Sequence, residues 1–161
     1  MTSLSLDDAN GGAQVTVVLP AYNHARYVVE AIDSVRAQTF THWELIVIDD
    51  GSTDDTLAVL QAYVAQCDDP RIRLLSQSNA GSHATLNRGL EMARTPYLAI
   101  LNTDDRYAPN RLQRLVEIAA AAEGDVFITT GVRLIAEDGE PLPQEHWWNL
   151  MYKDILEHWT T

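Results

Sequence analysis

The stretch VTVVLPAYNHARYVVEAIDSVRAQTFTHWELIVIDDGSTDDT, residues 15–56, decides the fold. It contains two apolar runs rich in β-branched residues, VTVVLP (15–20) and ELIVID (44–49). Continuous runs of this kind are typical of strands that are covered on both faces. Between them, residues 25–37 place three apolar side chains on one helical face, namely Val28, Ile32 and Val35. This order of strand, helix and strand predicts a parallel βαβ unit.

The alternation continues along the chain. We predict further strands at 71–75, 97–102, 125–130 and 132–135, and further helices after Ser52, at 82–93 and at 109–122. The helix at 82–93 is predicted to carry Leu86, Leu90 and Ala93 on one side. Asn23 or His24 is expected to cap the first helix, and Ser52 with Asp55 has capping-box spacing. The pattern predicts an α/β domain with a mostly parallel central sheet.

Three segments are predicted along the chain. Residues 1–14 are polar, with neither a basic nor an apolar signal region, and are expected to form a flexible leader. Residues 15–135 form the α/β domain, and residues 136–161 form a turn at EDGE (137–140) followed by a helical tail rich in tryptophan. The apolar side chains of this tail are interpreted as packing residues rather than as a cofactor site.

Composition narrows the class of partner. The chain has 161 residues, 46% of them hydrophobic, and a formal charge of −12, so binding to nucleic acid or to an anionic membrane surface is disfavoured. Cys67 is the single cysteine, which excludes an internal disulfide. No apolar run is long enough to span a membrane. We expect a cytoplasmic protein, with a peripheral position at the inner membrane left open.

Unusual residues collect where the predicted strands end, which is the ligand-binding edge of an open parallel sheet. Asp104 and Asp105 leave the strand at 97–102 together, and two adjacent carboxylates repel each other unless a cation is present. A hard divalent cation, Mn²⁺ or Mg²⁺, held by a carboxylate and by phosphate oxygens of a ligand would satisfy them. The alternative is a simple turn leading into the helix near Pro109.

The residues at the other strand ends also have more than one interpretation. One residue of Asp49-Asp50 could accept hydrogen bonds from a nucleobase or ribose, or both could belong to a strand-to-helix turn. Tyr22 could flank a base. Gly81 precedes a helix N-terminus, which favours anions, and His83 could contact a phosphate or lie free in solvent.

Several functional classes lack their motifs. The sequence contains no Walker A loop, no G-x-G-x-x-G after the first strand and no G-x-S-x-G elbow. A phospho-acceptor receiver domain needs a lysine at the end of a late strand, whereas the only lysine, Lys153, lies in the tail.

Together these residues resemble the family 2 glycosyltransferases, inverting enzymes of the GT-A fold. Three blocks carry the resemblance, namely residues 15–56, NAGSHATLNRGLEMA (79–93) and YLAILNTDDRYAPNRL (97–112). The order and spacing of the blocks are more specific than any block alone. The resemblance implies a Rossmann-like, mostly parallel sheet with helices on both faces.

The resemblance also implies roles for individual residues. Pro20, Ala21 and Tyr22 would line the nucleobase pocket, and Asp50 would hydrogen-bond the base. Asp105 would be the main metal ligand, with Asp104 on the ribose or the metal. The donor diphosphate would be bordered by Gly81 and Asn87. Many members carry Ala-Arg-Asn where this chain has Thr85-Leu86-Asn87, so Arg88 or His83 would have to replace the missing arginine.

The implied reaction moves a sugar from a nucleoside diphosphate donor to a hydroxyl of a saccharide or lipid-linked acceptor. A carboxylate base would activate that hydroxyl, and we expect this base beyond Thr161, in acceptor-binding structure. Two other interpretations stay open. One is a non-catalytic nucleotide-sugar-binding or assembly module. The other is a sugar nucleotidyltransferase, for which PAYNHARY (20–27) lacks the usual Gly-rich basic loop.

Overall fold

A computed structural model describes residues 12–136 and 139–143 of the chain. The chain divides into two units, one ending at Glu123 and the other beginning at Gly124. The leader up to residue 11 and the predicted tail helix from residue 144 lie outside the described residues. None of the helices in the described part is long and apolar enough to cross a membrane.

The first unit is an α/β layer structure, as predicted. Its elements alternate along the chain in the order β1 (Val15–Ala21), α1 (Val28–Arg36), β2 (Trp43–Asp49), α2 (Thr56–Cys67), β3 (Ile72–Ser76), α3 (Ser82–Met92), β4 (Tyr97–Ile100) and α4 (Arg111–Ala121). The strands form one sheet in the order β3-β2-β1-β4, and every pairing is parallel. The order reverses direction between β1 and β4, which makes this pair the topological switch point of the sheet.

The strand register aligns the carboxyl ends of the strands. Val15 of β1 pairs with Trp43 of β2 and with Tyr97 of β4, so these three strands start at the same level. At the other end, Ala21 pairs with Asp49. The segments that follow β1, β2 and β4 therefore leave the sheet at a common edge.

One face of the sheet is covered by α1 and α2. The predicted helical face of α1 is confirmed, because Val28, Ile32 and Val35 are fully buried. They belong to the same apolar cluster as Val17 and Leu19 of β1. The cluster also includes Leu60 of α2 and Leu112 of α4, so this face forms the main core.

The opposite face is covered by α3. Side chains alternate along a strand, so Val18 points away from the Val17 cluster, and it lies against Gly89 of α3. A Cβ atom on Gly89 would lie 2.3 Å from Val18 Cγ1. The buried residues of α3 are Thr85 and Gly89, whereas Leu86, Leu90 and Ala93, which the sequence places on one side, are half-buried. Small residues face the sheet because α3 approaches β1 too closely for a larger side chain at Gly89.

The second unit departs from the sequence prediction. The strands expected at 125–130 and 132–135 are not formed, and Phe127 is 93% exposed. The described residues contain one antiparallel bridge here, between Ile135 and Pro141. The Ala136 N–H donates to Glu140 O at 2.8 Å. Residues 137 and 138 of the expected turn lie outside the described residues. An apolar run rich in β-branched residues forms a strand only when a neighbour supplies backbone partners, which composition alone does not reveal.

Candidate functional site

The segment after β1 lies at the switch point of the sheet. Ala21 is buried, Pro20 is half-buried, and Tyr22 is 44% exposed. The Asp50 N–H donates to Ala21 O at 2.8 Å, which extends the pairing of β1 and β2 by one residue. Tyr22 is thus the first side chain past the sheet that faces solvent, on a rigid strand end.

Asn23 joins the loop after β1 to the loop after β2. Its backbone has a positive φ of 55°, and its Oδ1 accepts the N–H groups of Thr53 (2.8 Å) and Asp54 (3.3 Å). The Ser52 Oγ accepts the Asn23 N–H at 3.0 Å. These bonds make the two loops one connected structure at the carboxyl edge.

The caps predicted in these loops are therefore wrong. The residue before α1 is Tyr27, with no side-chain cap, and Asn23 serves the loop of the neighbouring strand instead. Ser52 and Asp55 form no capping box, because α2 begins after Asp55, which makes no side-chain cap bond. The start of α2 is bonded by Asp54, whose Oδ1 accepts the Thr56 N–H at 2.9 Å.

Asp50 holds the loop that leads into α3. Its side chain accepts hydrogen bonds from Gln77 Nε2 (2.7 Å), the Ala80 N–H (2.9 Å) and the Gly81 N–H (2.9 Å). Asp50 is only 3% exposed, and this burial is the largest effect, raising its pKa. The hydrogen bonds together outweigh burial, so the pKa of Asp50 lies below its ordinary value. Asp50 is therefore a buried, ionised anchor for residues 77–81.

Gln77 extends this anchor to α3. Its Oε1 accepts a hydrogen bond from Arg88 Nη1 at 2.7 Å, and its Nε2 also donates to Thr85 Oγ1 at 2.9 Å. The side chain of Arg88 is thus engaged with the loop rather than extended beyond the N-terminus of α3. This contact weakens the idea that Arg88 replaces the arginine absent at position 86.

The N-terminus of α3 is open to solvent. Gly81 has a φ of 87°, and a Cβ atom there would meet nothing within 4 Å. His83 and Asn87 are both exposed on the following turns. Backbone N–H groups in the first turn of a helix attract anions, so this end of α3 can receive a phosphate.

Asp104 and Asp105 lie on a tight turn that follows β4. The Leu101 N–H donates to Val18 O at 3.0 Å, which keeps the chain paired to β1 up to the turn. The Asp105 N–H donates to Asn102 O at 3.1 Å, and Asn102 Nδ2 donates to Asp105 Oδ2 at 3.2 Å. Both carboxylates are exposed, so their proximity does not carry the desolvation cost expected from the sequence.

Thr103, between these residues, is buried and hydrogen-bonded to His24 Nδ1. The His24 N–H in turn donates to Thr56 Oγ1 at 2.8 Å. His24 thereby links the loops after β1, β2 and β4. The sequence predicts His24 only as a possible cap of the first helix, because neither its spacing nor its neighbours in sequence indicate a partner at Thr103.

The carboxylate pair fits a hard divalent cation. Carboxylate oxygens are the ligands that Mg²⁺ and Mn²⁺ prefer, and such ions commonly complete their coordination with substrate phosphates and water. Among residues 12–136 and 139–143, no three His, Cys, Asp or Glu side chains group as a metal site. A cation held by Asp104 and Asp105 would therefore need further oxygens, which phosphates or water could supply.

The parallel sheet, with its switch point at β1 and β4 and its loops joined at the carboxyl edge, is an α/β architecture of the GT-A type. A family model described as glycosyl transferase family 2 matches residues 16–161. The chain belongs to this family, which confirms the resemblance.

Relatives and solved structures agree with this assignment. The succinoglycan biosynthesis protein ExoO of Rhizobium meliloti is 38% identical over 129 residues, covering 80% of this chain and 36% of ExoO. The mannosyltransferase PcManGT of Pyrobaculum calidifontis, solved with GDP-Man and Mn²⁺, has a TM-score of 0.62 at 27% identity, covering 66% of this chain and 32% of PcManGT. S. aureus TarS 1-349, solved with UDP-GlcNAc, has a TM-score of 0.60 at 24% identity, covering 66% of this chain and 31% of that one. The chain spans half or less of the length of the curated relatives it matches.

Proposed function

We propose that this chain binds the nucleoside diphosphate sugar donor of a metal-dependent, inverting glycosyltransferase. The observation that carries the proposal is the convergence of three rigid features at one sheet edge. These are Tyr22 after β1, the Asp50-anchored loop 77–81 with the open end of α3, and the Asp104–Asp105 turn. Family membership and the GDP-Man and Mn²⁺ bound to PcManGT support it.

Each feature suits one part of the donor. Tyr22, with Pro20 and Ala21 behind it, offers an aromatic surface for the nucleobase. Asp50 already accepts three hydrogen bonds, so a hydrogen bond from a base N–H would have to be a fourth. Gly81, His83 and Asn87 border the diphosphate.

Asp105 and Asp104 would hold Mn²⁺ or Mg²⁺ against the donor phosphates. When bound, the cation neutralises charge on the departing nucleoside diphosphate. The residues of this chain contribute by fixing the donor in one orientation, which leaves the anomeric carbon open to an acceptor hydroxyl on the opposite face. We propose a saccharide or lipid-linked acceptor, in keeping with ExoO being a succinoglycan biosynthesis protein.

Calorimetry tests this proposal. The chain is titrated with UDP and with GDP, each with Mn²⁺ and with EDTA. We expect Mn²⁺-dependent binding of one nucleotide, weakened at least about tenfold in Asp105→Ala, which corresponds to about 1.4 kcal/mol. Glu91→Ala, an exposed carboxylate in the last turn of α3, is the matched control and should bind as wild type does. Absence of binding by both nucleotides under both conditions would disprove the proposal.

A further inference from the structure

A buried glutamine connects α1 to the segment that follows the carboxylate pair. Gln38 lies two residues past the end of α1 and is 5% exposed. Its Nε2 donates to Ala108 O at 2.8 Å and to Ser34 O at 3.0 Å. Its Oε1 accepts the Leu112 N–H at 2.9 Å. All three bonds are between a side-chain amide and backbone, and two of them reach residues more than sixty positions away along the chain.

Gln38 caps the N-terminus of α4, although it lies just after α1 in the chain. The first N–H groups of a helix have no partner within it, and Leu112 is the second residue of α4. The residue before α4, Asn110, makes no side-chain cap bond. Gln38 Oε1 takes this role, while Gln38 Nε2 fixes the carbonyl of Ala108 ahead of the helix. The start of α4 is therefore fixed by the segment that follows α1.

Neighbouring contacts repeat the same connection. Ser34 Oγ accepts the Tyr107 N–H at 3.0 Å, and the Thr39 N–H donates to Pro109 O at 2.8 Å. Tyr107 also donates its hydroxyl to Ile100 O at 2.7 Å, closing the chain back onto the end of β4. Residues 107–112 are held at several points by a segment of α1 and the loop after it.

The carboxylate turn is thus fixed from its two ends. On one side, Leu101 is bonded to β1 and Thr103 to His24. On the other, Tyr107 and Ala108 are bonded to Ser34 and Gln38. Asp104 and Asp105 are themselves exposed, so the position of their oxygens depends on these flanking anchors. A metal ligand that must be placed within fractions of an ångström depends on such support.

We propose that Gln38 is a positioning residue for the Asp104–Asp105 pair, and that its hydrogen bonds set the metal affinity of the donor site. This inference rests on the proposed function for its metal, but its structural part concerns only the bonds between α1 and residues 107–112. Gln38 does not touch the donor in this account. It acts through the backbone of the segment that carries the carboxylates.

The test substitutes Gln38→Met, which keeps the length and removes all three hydrogen bonds. Thr16→Val is the matched control, because Thr16 is fully buried and hydrogen-bonded to Glu44 and Thr95 at the opposite end of the sheet. Amide hydrogen exchange of the free protein is measured at Asp105, Tyr107 and Leu112. Mn²⁺ binding is measured by water-proton relaxation with UDP and with GDP, at a temperature where both variants are folded.

We expect exchange at these three amides to rise at least about tenfold in Gln38→Met and to stay near wild type in Thr16→Val. The Mn²⁺ affinity should fall about tenfold in Gln38→Met only. Equal exchange in the two variants, or equal loss of Mn²⁺ affinity in both, would overturn the inference. If wild type binds no Mn²⁺ with either nucleotide, the proposed function and the metal part of this inference both fail. The exchange comparison would still decide whether Gln38 holds the segment.

Discussion

At the scale of single residues, the motif residue Asp50 has a structural role, because its side chain holds the loop 77–81 at the carboxyl edge of the sheet. Asp104 and Asp105 could be singled out from residue type and position, since two adjacent carboxylates closely follow a predicted strand. The partners of Asp50 could not be predicted from the sequence, because its hydrogen bonds to Gln77, Ala80 and Gly81 join positions about thirty residues apart. Sequence order does not show which loop passes over which.

The ionisation of Asp50 predicts how stability depends on pH. Its pKa in the folded protein is below the ordinary 3.8, so its contribution is present above that value and is lost as the pH falls through the folded pKa. Asp50→Asn places an NH₂ group against donors and should lower the free energy of unfolding by about 2 kcal/mol at pH 7. Urea denaturation at pH 7, 5 and 3 should show the difference from wild type shrinking at pH 3. A difference that is constant with pH would contradict an ionised anchor.

At the scale of elements, hydrophobic periodicity predicted the helices and strands of the first unit. It did not predict the contacts that their side chains make. Asn23 and Ser52 are good capping residues by type, but tertiary contacts used their side chains to join two loops. The run at 125–130 has strand composition and remains irregular. Local preference identifies what a segment can form, and partners decide whether it forms.

The close contact between α3 and β1 can be tested by a substitution at Gly89. Gly89→Ala adds a Cβ that would lie 2.3 Å from Val18 Cγ1, so backbone or side chain must move. Overpacking of this kind costs about 1–3 kcal/mol, offset by about 1 kcal/mol from the better helix propensity of alanine. We expect a net loss of up to about 2 kcal/mol in urea denaturation.

Val18→Ala serves as the second arm of a double-mutant cycle. Since it removes the γ-methyl groups that the new Cβ would meet, the double variant should be more stable than the sum of the single effects by about 1 kcal/mol. Additive effects would mean that α3 does not approach β1 as closely as the structure shows.

At the scale of the whole molecule, the alternating pattern was enough to predict a mostly parallel α/β sheet with its ligand edge at the strand ends. The strand order β3-β2-β1-β4 is a tertiary property, yet it places Tyr22 and the carboxylate turn on either side of the switch point. If the proposed donor binds at this edge, an acidic chain with a formal charge of −12 has to accommodate a polyanion there. In the proposed site, a divalent cation held by the exposed Asp104–Asp105 pair would offset this repulsion.

The same repulsion predicts how ionic strength acts on binding. Without a divalent cation, UDP is repelled by the net charge of −12, and raising NaCl from about 20 to about 200 mM shortens the screening length from about 20 to about 7 Å. The affinity for UDP in EDTA should therefore rise with salt, whereas uridine, which is neutral, should show no change. With Mn²⁺ present the dependence should be weaker, because the cation offsets charge on both sides. Titrations at four salt concentrations measure this. An affinity for metal-free UDP that falls steeply with salt would indicate a basic binding surface instead, and would remove the physical reason for placing a metal between the donor and Asp104–Asp105.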